Sequence, residues 1–418
     1  MEKLAFLTED EVRQVREEFG TPVFVYDQQT LEKRAKEALN FPNAFGLTAR
    51  YAMKALPTAA VIRILTDLGL HIDASSGYEA ERAMRIGVAP EKIMITAQEA
   101  PRNLKELVDK GVIFNACSLQ QLKTYGEWFP GTDVSVRINP GLGSGHSNRT
   151  NVGGPSSSFG IWHEHLDELF EIAHRHHLTV TIMHTHIGSG SDPDVWVRVA
   201  KLALGTAAQM PDVHTLNLGG GYKVARMSGD VAADLQEIGE KVRPEFEAFA
   251  EEHGRKLHLE IEPGAYIVTN SGSLVSTISD LVDTGSEGYQ FIKVDTGMTE
   301  ILRPSLYGAQ HPLVVVPQQV ATRGTGEFLV AGHCCESGDI LTPEPGNPEG
   351  LLPRQLMEPE IGDLLVVEAT GAYCSGMASK HYNSFPECAE VMRTTDGQLK
   401  LIRRRETLEQ MVQNEILA

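Results

Sequence analysis

Between residues 45 and 262 the chain alternates short runs of β-forming residues with stretches whose apolar residues recur every three and four positions. Strand-type runs are read near 45–54, 71–75, 93–97, 113–118, 134–139, 180–187, 214–218 and 257–262, each closed by small, glycine or polar residues. Thr58 to Leu70 and Val231 to Glu252 are two of the helical patterns between them. Strands joined through helices run parallel, because a crossover of that length carries the chain back to the end from which the previous strand started. Eight such units over roughly 250 residues predict a closed (β/α)8 barrel. A doubly wound open sheet is the competing arrangement.

After residue 270 the rhythm changes to β-rich segments separated by turns, with no room for crossover helices. The expected fold is α/β: a (β/α)8 barrel over 28–268, plus a C-terminal antiparallel β domain over 269–418 that also takes up residues 1–27. Within that N-terminal part, Thr-Pro-Val-Phe-Val-Tyr-Asp (21–27) reads as a strand. The Pro/Gly-rich piece from Thr342 to Asp363 reads as a surface loop. Two domains suit 418 residues, more than one hydrophobic core usually serves.

Charge narrows the partners. Lys plus Arg number 37 against 56 acidic residues, so nucleic acid and anionic membrane are not expected partners. No apolar run is long enough for a signal peptide or a membrane span, which makes the cytoplasm the expected location. Five cysteines with no Cys-x-x-Cys pair argue against a disulfide framework or a structural zinc site.

In a (β/α)8 barrel the chemistry sits where strands end. Lys54 ends the first strand; it is either a lysine snorkelling to solvent or a desolvated amine suited to Schiff-base chemistry. The sixth strand ends in Met-His-Thr-His-Ile-Gly-Ser, with His184 and His186 on one face. Without a third ligand the pair suits stacking on a flat cofactor at least as well as zinc, and no metal site is expected. Gly219, Gly220 and Gly221 close the seventh strand, where barrels often hold phosphate. The eighth ends in Leu-Glu-Ile-Glu-Pro-Gly: Glu260 is expected to pair with an inward arginine such as Arg137, leaving Glu262 free for a ligand. A lysine, an imidazole, a glycine loop and a carboxylate at one barrel mouth describe a pyridoxal 5′-phosphate site.

Longer motifs carry a family resemblance over nearly the whole chain. Tyr-Ala-Met-Lys-Ala (51–55), the His184–Gly190 segment, Leu-Gly-Gly-Gly-Tyr (218–222), Glu-Pro-Gly (262–264), the stretches 294–311, 335–339 and 369–384, and the terminal 401–411 resemble the alanine-racemase-like fold group of pyridoxal-phosphate decarboxylases, and within it the diaminopimelate decarboxylase family. Residues 145–162 also look like the bacterial members. The resemblance implies Lys54 as the Schiff-base lysine, His186 as the ring-stacking imidazole, Ser189 with Gly219, Gly220, Gly221, Gly264 and Tyr373 around the phosphate, and Glu262 on the pyridinium. It also implies Arg303 and Tyr307 on the substrate's far carboxylate, Glu336 on its far amine and Cys335 as general acid. Glu336, Cys335 and Tyr373 would come from the second subunit of a homodimer with shared active sites. The other four cysteines read as small buried hydrophobes.

The implied reaction is decarboxylation of the small-molecule substrate meso-2,6-diaminopimelate to L-lysine. The alternatives are a decarboxylase of ornithine, D-lysine or a siderophore or antibiotic precursor, a racemase, and a non-catalytic paralogue. Glu262 disfavours the racemase, whose family places an arginine there. Relatives mostly read Glu-Pro-Gly-Arg, whereas this chain has Ala265. Lys223, or failing it Arg226, is expected to supply the missing charge beside Arg303.

Overall fold

A computed structural model describes residues 2–143, 153–186 and 188–417. Residues 145–152 of the motif at 145–162, and Ile187 of the histidine motif, lie outside them. Two compact units result: one comprises Glu32–Val224 and Val231–Ile267, the other the chain up to Leu31, Ala225–Asp230 and Val268 onward.

The first unit is a closed barrel. Parallel strands Leu47–Ala52, His71–Ala74, Ile93–Thr96, Ile113–Ala116, Asp133–Asn139, Thr179–His184, Thr215–Asn217 and His258–Ile261 pair in chain order, and the last returns to the first through Leu259 opposite Leu47. Closure settles the choice against an open sheet. The strand residues that point inward are unusually polar, with Arg50, Asp73, Asn115, Arg137, Asn217 and Glu260 all buried where branched aliphatic side chains commonly fill a barrel.

Outer helices begin where the caps place them. The helix expected from Val231 starts at Leu235, because the Asp234 carboxylate accepts from the backbone N–H groups of Gln236 (2.9 Å) and Glu237 (3.1 Å).

In the second unit the strand Val23–Asp27 lies between Gly272–Asp283, antiparallel to it, and Ala389–Arg393, parallel to it. Gln290–Val294 and Thr325–Ala331 form a second parallel pair, so the expected antiparallel domain is antiparallel-rich rather than uniform. Val12 and Val15 of the helix Glu9–Phe19 pack with Val23, Val25, Val275 and Val391 as its core. The stretch expected to be a loop holds the hairpin Pro343–Glu344 with Asn347–Leu351, turning at Gly346 (φ 75°), and the strand Arg354–Met357, which pairs with Thr325–Ala331. Pro343 opens the first short strand and Pro345 and Gly346 make the turn, where none interrupts a ladder. Among the described residues no helix is long and apolar enough to cross a membrane.

Candidate active site

The first barrel strand stops at Ala52, and Lys54 sits on the following 3-10 turn Met53–Ala55 rather than in the strand. Met53 and Ala55 are buried, which points the lysine side chain between them outward. It enters a cavity of about 890 Å³ whose wall also includes Asp73, Arg137, His184, His186 and Glu262. Four other strands thus meet Lys54 at one place.

A hydrogen-bonded chain runs up the barrel interior to this cavity. Arg50 grips Glu260 with two nitrogens, Nη2 to Oε1 at 2.7 Å and Nε to Oε2 at 3.0 Å. Asn217 Nδ2 donates both to Glu260 Oε2 (3.1 Å) and to Glu262 Oε1 (2.8 Å), and His184 Nε2 lies 3.0 Å from Glu262 Oε2. Glu260 is therefore paired with Arg50 and not Arg137, because the eighth strand closes against the first; the Arg137 guanidinium instead lies 4.7 Å from the centre of the Phe159 ring. Glu262 reaches the cavity wall, where it is buried and held on both oxygens.

Electrostatics follow from this packing. Burial alone would push the Glu262 carboxyl up, but the charge and hydrogen bond of His184, with the Lys54 charge, hold it below the usual range. Asp73 goes the other way: burial first, then the neighbouring Glu262 charge, push it up to about 8, and its Oδ1 has no hydrogen-bond partner. A neutral acid thus sits beside an ionised one. Burial, together with the Arg137 and Lys54 charges, keeps His186 well below its ordinary value, hence neutral, and its enclosed Nδ1 has no partner.

The glycine loop also needs its glycines for packing. A Cβ on Gly221 (φ 98°) would lie 1.6 Å from Gly188 O, and one on Gly220 would lie 2.3 Å from Glu262 O. The missing side chains let three strand-end loops touch, and Gly190 N donates to Gly221 O (2.9 Å), which places Ser189 next to the loop. Gly264 packs against Ala52. Lys223 follows on the barrel unit, with its N–H bonded to Gly190 O (3.2 Å).

The remaining candidates fall in the β unit. Arg303 and Tyr307 open and close one short helix, and Ser305 Oγ between them donates to Gly338 O (2.8 Å), tying that helix to the turn bearing Cys335 and Glu336. Cys335 is exposed while Cys117, Cys334, Cys374 and Cys388 are buried. Tyr373 has a left-handed backbone (φ 56°). Asp73 and Asn217 are site residues that no sequence motif singles out. His-Ile-Asp-Ala offers no motif, and Asn217 was hidden in a turn-prone Leu-Asn-Leu-Gly-Gly-Gly; the one available signal was a polar residue alternating into a strand.

Three features of the cavity suit pyridoxal phosphate: an accessible amine at Lys54, a carboxylate anchored on both oxygens at Glu262, and an enclosed neutral imidazole at His186. The comparisons agree. The model of the pyridoxal-dependent decarboxylase pyridoxal-binding domain matches residues 29–269, so the chain is a pyridoxal-phosphate-dependent decarboxylase. Diaminopimelate decarboxylase of Streptomyces coelicolor is 36% identical over 409 residues (96% of this chain, 90% of the relative), and that of Escherichia coli 34% identical over 421 residues (98% and 97%). A crystal structure of diaminopimelate decarboxylase superposes with a TM-score of 0.90 at 34% identity, covering 97% of this chain and 96% of that one. The chain belongs to the diaminopimelate decarboxylase family.

Proposed function

We propose that the chain decarboxylates meso-2,6-diaminopimelate to L-lysine and CO2. The observation that carries this reading is the meeting of Lys54, His186 and Glu262 in one cavity, in a chain similar along nearly its full length to enzymes of that name. Lys54 would hold the cofactor covalently, His186 would lie on its ring, Glu262 would face its nitrogen, and Ser189, the loop Gly219–Gly221, Gly264 and Tyr373 would hold its phosphate. When bound, pyridoxal phosphate supplies a protonated conjugated ring that accepts the electron pair of the breaking carbon–carboxylate bond. Cys335 delivers a proton to the carbon that has lost its carboxylate, Glu336 binds the far amine and Arg303 with Tyr307 the far carboxylate. CO2 release measured against meso-diaminopimelate, L- and D-lysine, and L- and D-ornithine tests the substrate; a preference for ornithine or lysine would overturn it. Five free thiols are consistent with a cytoplasmic setting.

The reading includes a homodimer in which Cys335, Glu336 and Tyr373 serve the partner's barrel, supported by the exposure of Cys335 and Glu336. Mixing inactive Lys54→Ala and Cys335→Ala proteins should then restore activity, because one site of each heterodimer is intact. No recovery after verified subunit exchange would place both residues in one subunit's site.

Of the two cations weighed against Ala265, Arg226 is the better supported. It lies on Ala225–Asp230, which clusters with the β unit that carries Arg303, whereas Lys223 stays with the barrel unit. The Nε atoms of Arg226 and Arg303 are enclosed without partners, and among the described residues no carboxylate forms an ion pair with either guanidinium. Burial, then the Arg303 charge, pulls Arg226 down to about 9, as for a cation awaiting an anion. Arg226→Ala should raise KM for diaminopimelate and the inhibition constant of L-lysine, which retains the far carboxylate, by roughly tenfold to a hundredfold. Inhibition by 1,5-diaminopentane, which lacks that carboxylate, should stay unchanged. Lys223→Ala should behave like the parent; the reverse pattern would return the role to Lys223.

A further inference from the structure

The segment Lys380–Phe385 closes the motif at 369–384 and has no part in the reaction as described above. Its backbone is strained: His381 (φ 60°), Asn383 (φ 50°) and Ser384 (φ 61°) are all left-handed, a conformation that costs L-residues energy and persists where surrounding contacts enforce it. Those contacts are present. His381 Nε2 lies 2.7 Å from Glu406 Oε2, Lys380 Nζ lies 2.5 Å from Glu387 Oε1, and the Phe385 ring stacks on His333 with centroids 3.6 Å apart.

The strained residue in the middle reaches the turn that bears the thiol. Asn383 Oδ1 accepts from the backbone N–H of Cys335 at 2.7 Å, and Tyr382 OH lies 3.4 Å from Glu336 Oε2. From inside, the turn is closed by Cys334 N donating to Asp339 Oδ2 (2.9 Å) and Asp339 N donating to Glu336 O (3.1 Å). Those two bonds fix the ends of the turn. The Cys335 amide at its exposed crest is held from outside, by Asn383.

We propose that Asn383 is a positioning residue for Cys335, its side-chain carbonyl fixing the crest of the turn so that the thiol and the Glu336 carboxylate are presented in one orientation. The proposal rests on the reading of Cys335 as proton donor, but its geometry stands apart from that reading. Asparagine suits the place on both counts, since it tolerates the left-handed backbone and carries an acceptor three bonds beyond Cα.

Two variants of the holoenzyme separate these properties. Asn383→Gly keeps the backbone conformation and removes the acceptor; Asn383→Asp keeps both. Amide hydrogen exchange at Cys335 should speed up about tenfold or more in Asn383→Gly and remain near the parent rate in Asn383→Asp. Turnover of diaminopimelate should fall about tenfold in kcat with KM within about threefold in the glycine variant, and be retained in the aspartate variant. Parent-like exchange at Cys335 in Asn383→Gly, or equal loss of protection in both variants, would overturn the proposal. Faster exchange with undiminished kcat, together with an active Cys335→Ala enzyme, would leave the clamp in place and remove the proton-donor role from Cys335.

Discussion

Lys54→Ala is expected to lower turnover of diaminopimelate by on the order of a thousandfold or more. Lys54 is the one lysine lining the barrel cavity among the described residues, so no neighbouring amine can take over its bond to the cofactor. Borohydride treatment of the parent enzyme should fix the cofactor to the peptide that contains Lys54, and the variant should yield no such peptide. Stability should change little, because the side chain is accessible and its flanking residues Met53 and Ala55 provide the packing of the turn. A cofactor still trapped on the protein after Lys54→Ala would mean that another lysine carries it.

The second large effect concerns stability. Arg50→Ala should destabilise the barrel by about 3–5 kcal/mol, because it strips the buried Glu260 carboxylate of both guanidinium hydrogen bonds and leaves a charge that water cannot reach. The two side chains retain 3% and 5% of their accessible surface, too little for solvent screening to soften the loss. Removing both partners, as in Arg50→Met with Glu260→Met, should cost less than Arg50→Ala alone, since no uncompensated charge remains. Chemical unfolding of the three proteins measures the difference. A double variant as unstable as the single one would show that the pair matters for its shape rather than its charge. The effect should also reach the cavity, because Asn217 holds Glu260 and Glu262 through one amide nitrogen.

The barrel strands were legible because alternating strand and helix leaves a strong local imprint, and all eight appear where the pattern placed them. Detail was lost where non-local geometry decides. Glu260 meets Arg50 only because the barrel closes the eighth strand onto the first, a neighbourhood that no spacing along the chain encodes. The parallel pairing of Val23–Asp27 with Ala389–Arg393 joins segments more distant still. Lys54 falls beyond its strand because Ala-Met-Lys-Ala favours helical geometry and turns early. The Pro/Gly-rich stretch at 342–363 concealed a hairpin, since the residues that mark loops also mark tight turns. Cys335 was separable from the other four cysteines by the turn-forming Cys-Glu-Ser-Gly-Asp around it, and it alone is exposed.

The interior chain from Arg50 through Glu260, Asn217 and Glu262 to His184 also bears on how such a barrel can diverge. Each member satisfies its neighbour, so a lineage that exchanges any one of them alone inherits an orphaned buried group, and viable ancestry runs through coordinated replacements. The five positions should therefore co-vary as a block among descendants, leaving the surface loops as the freer ground on which new substrate preferences arise.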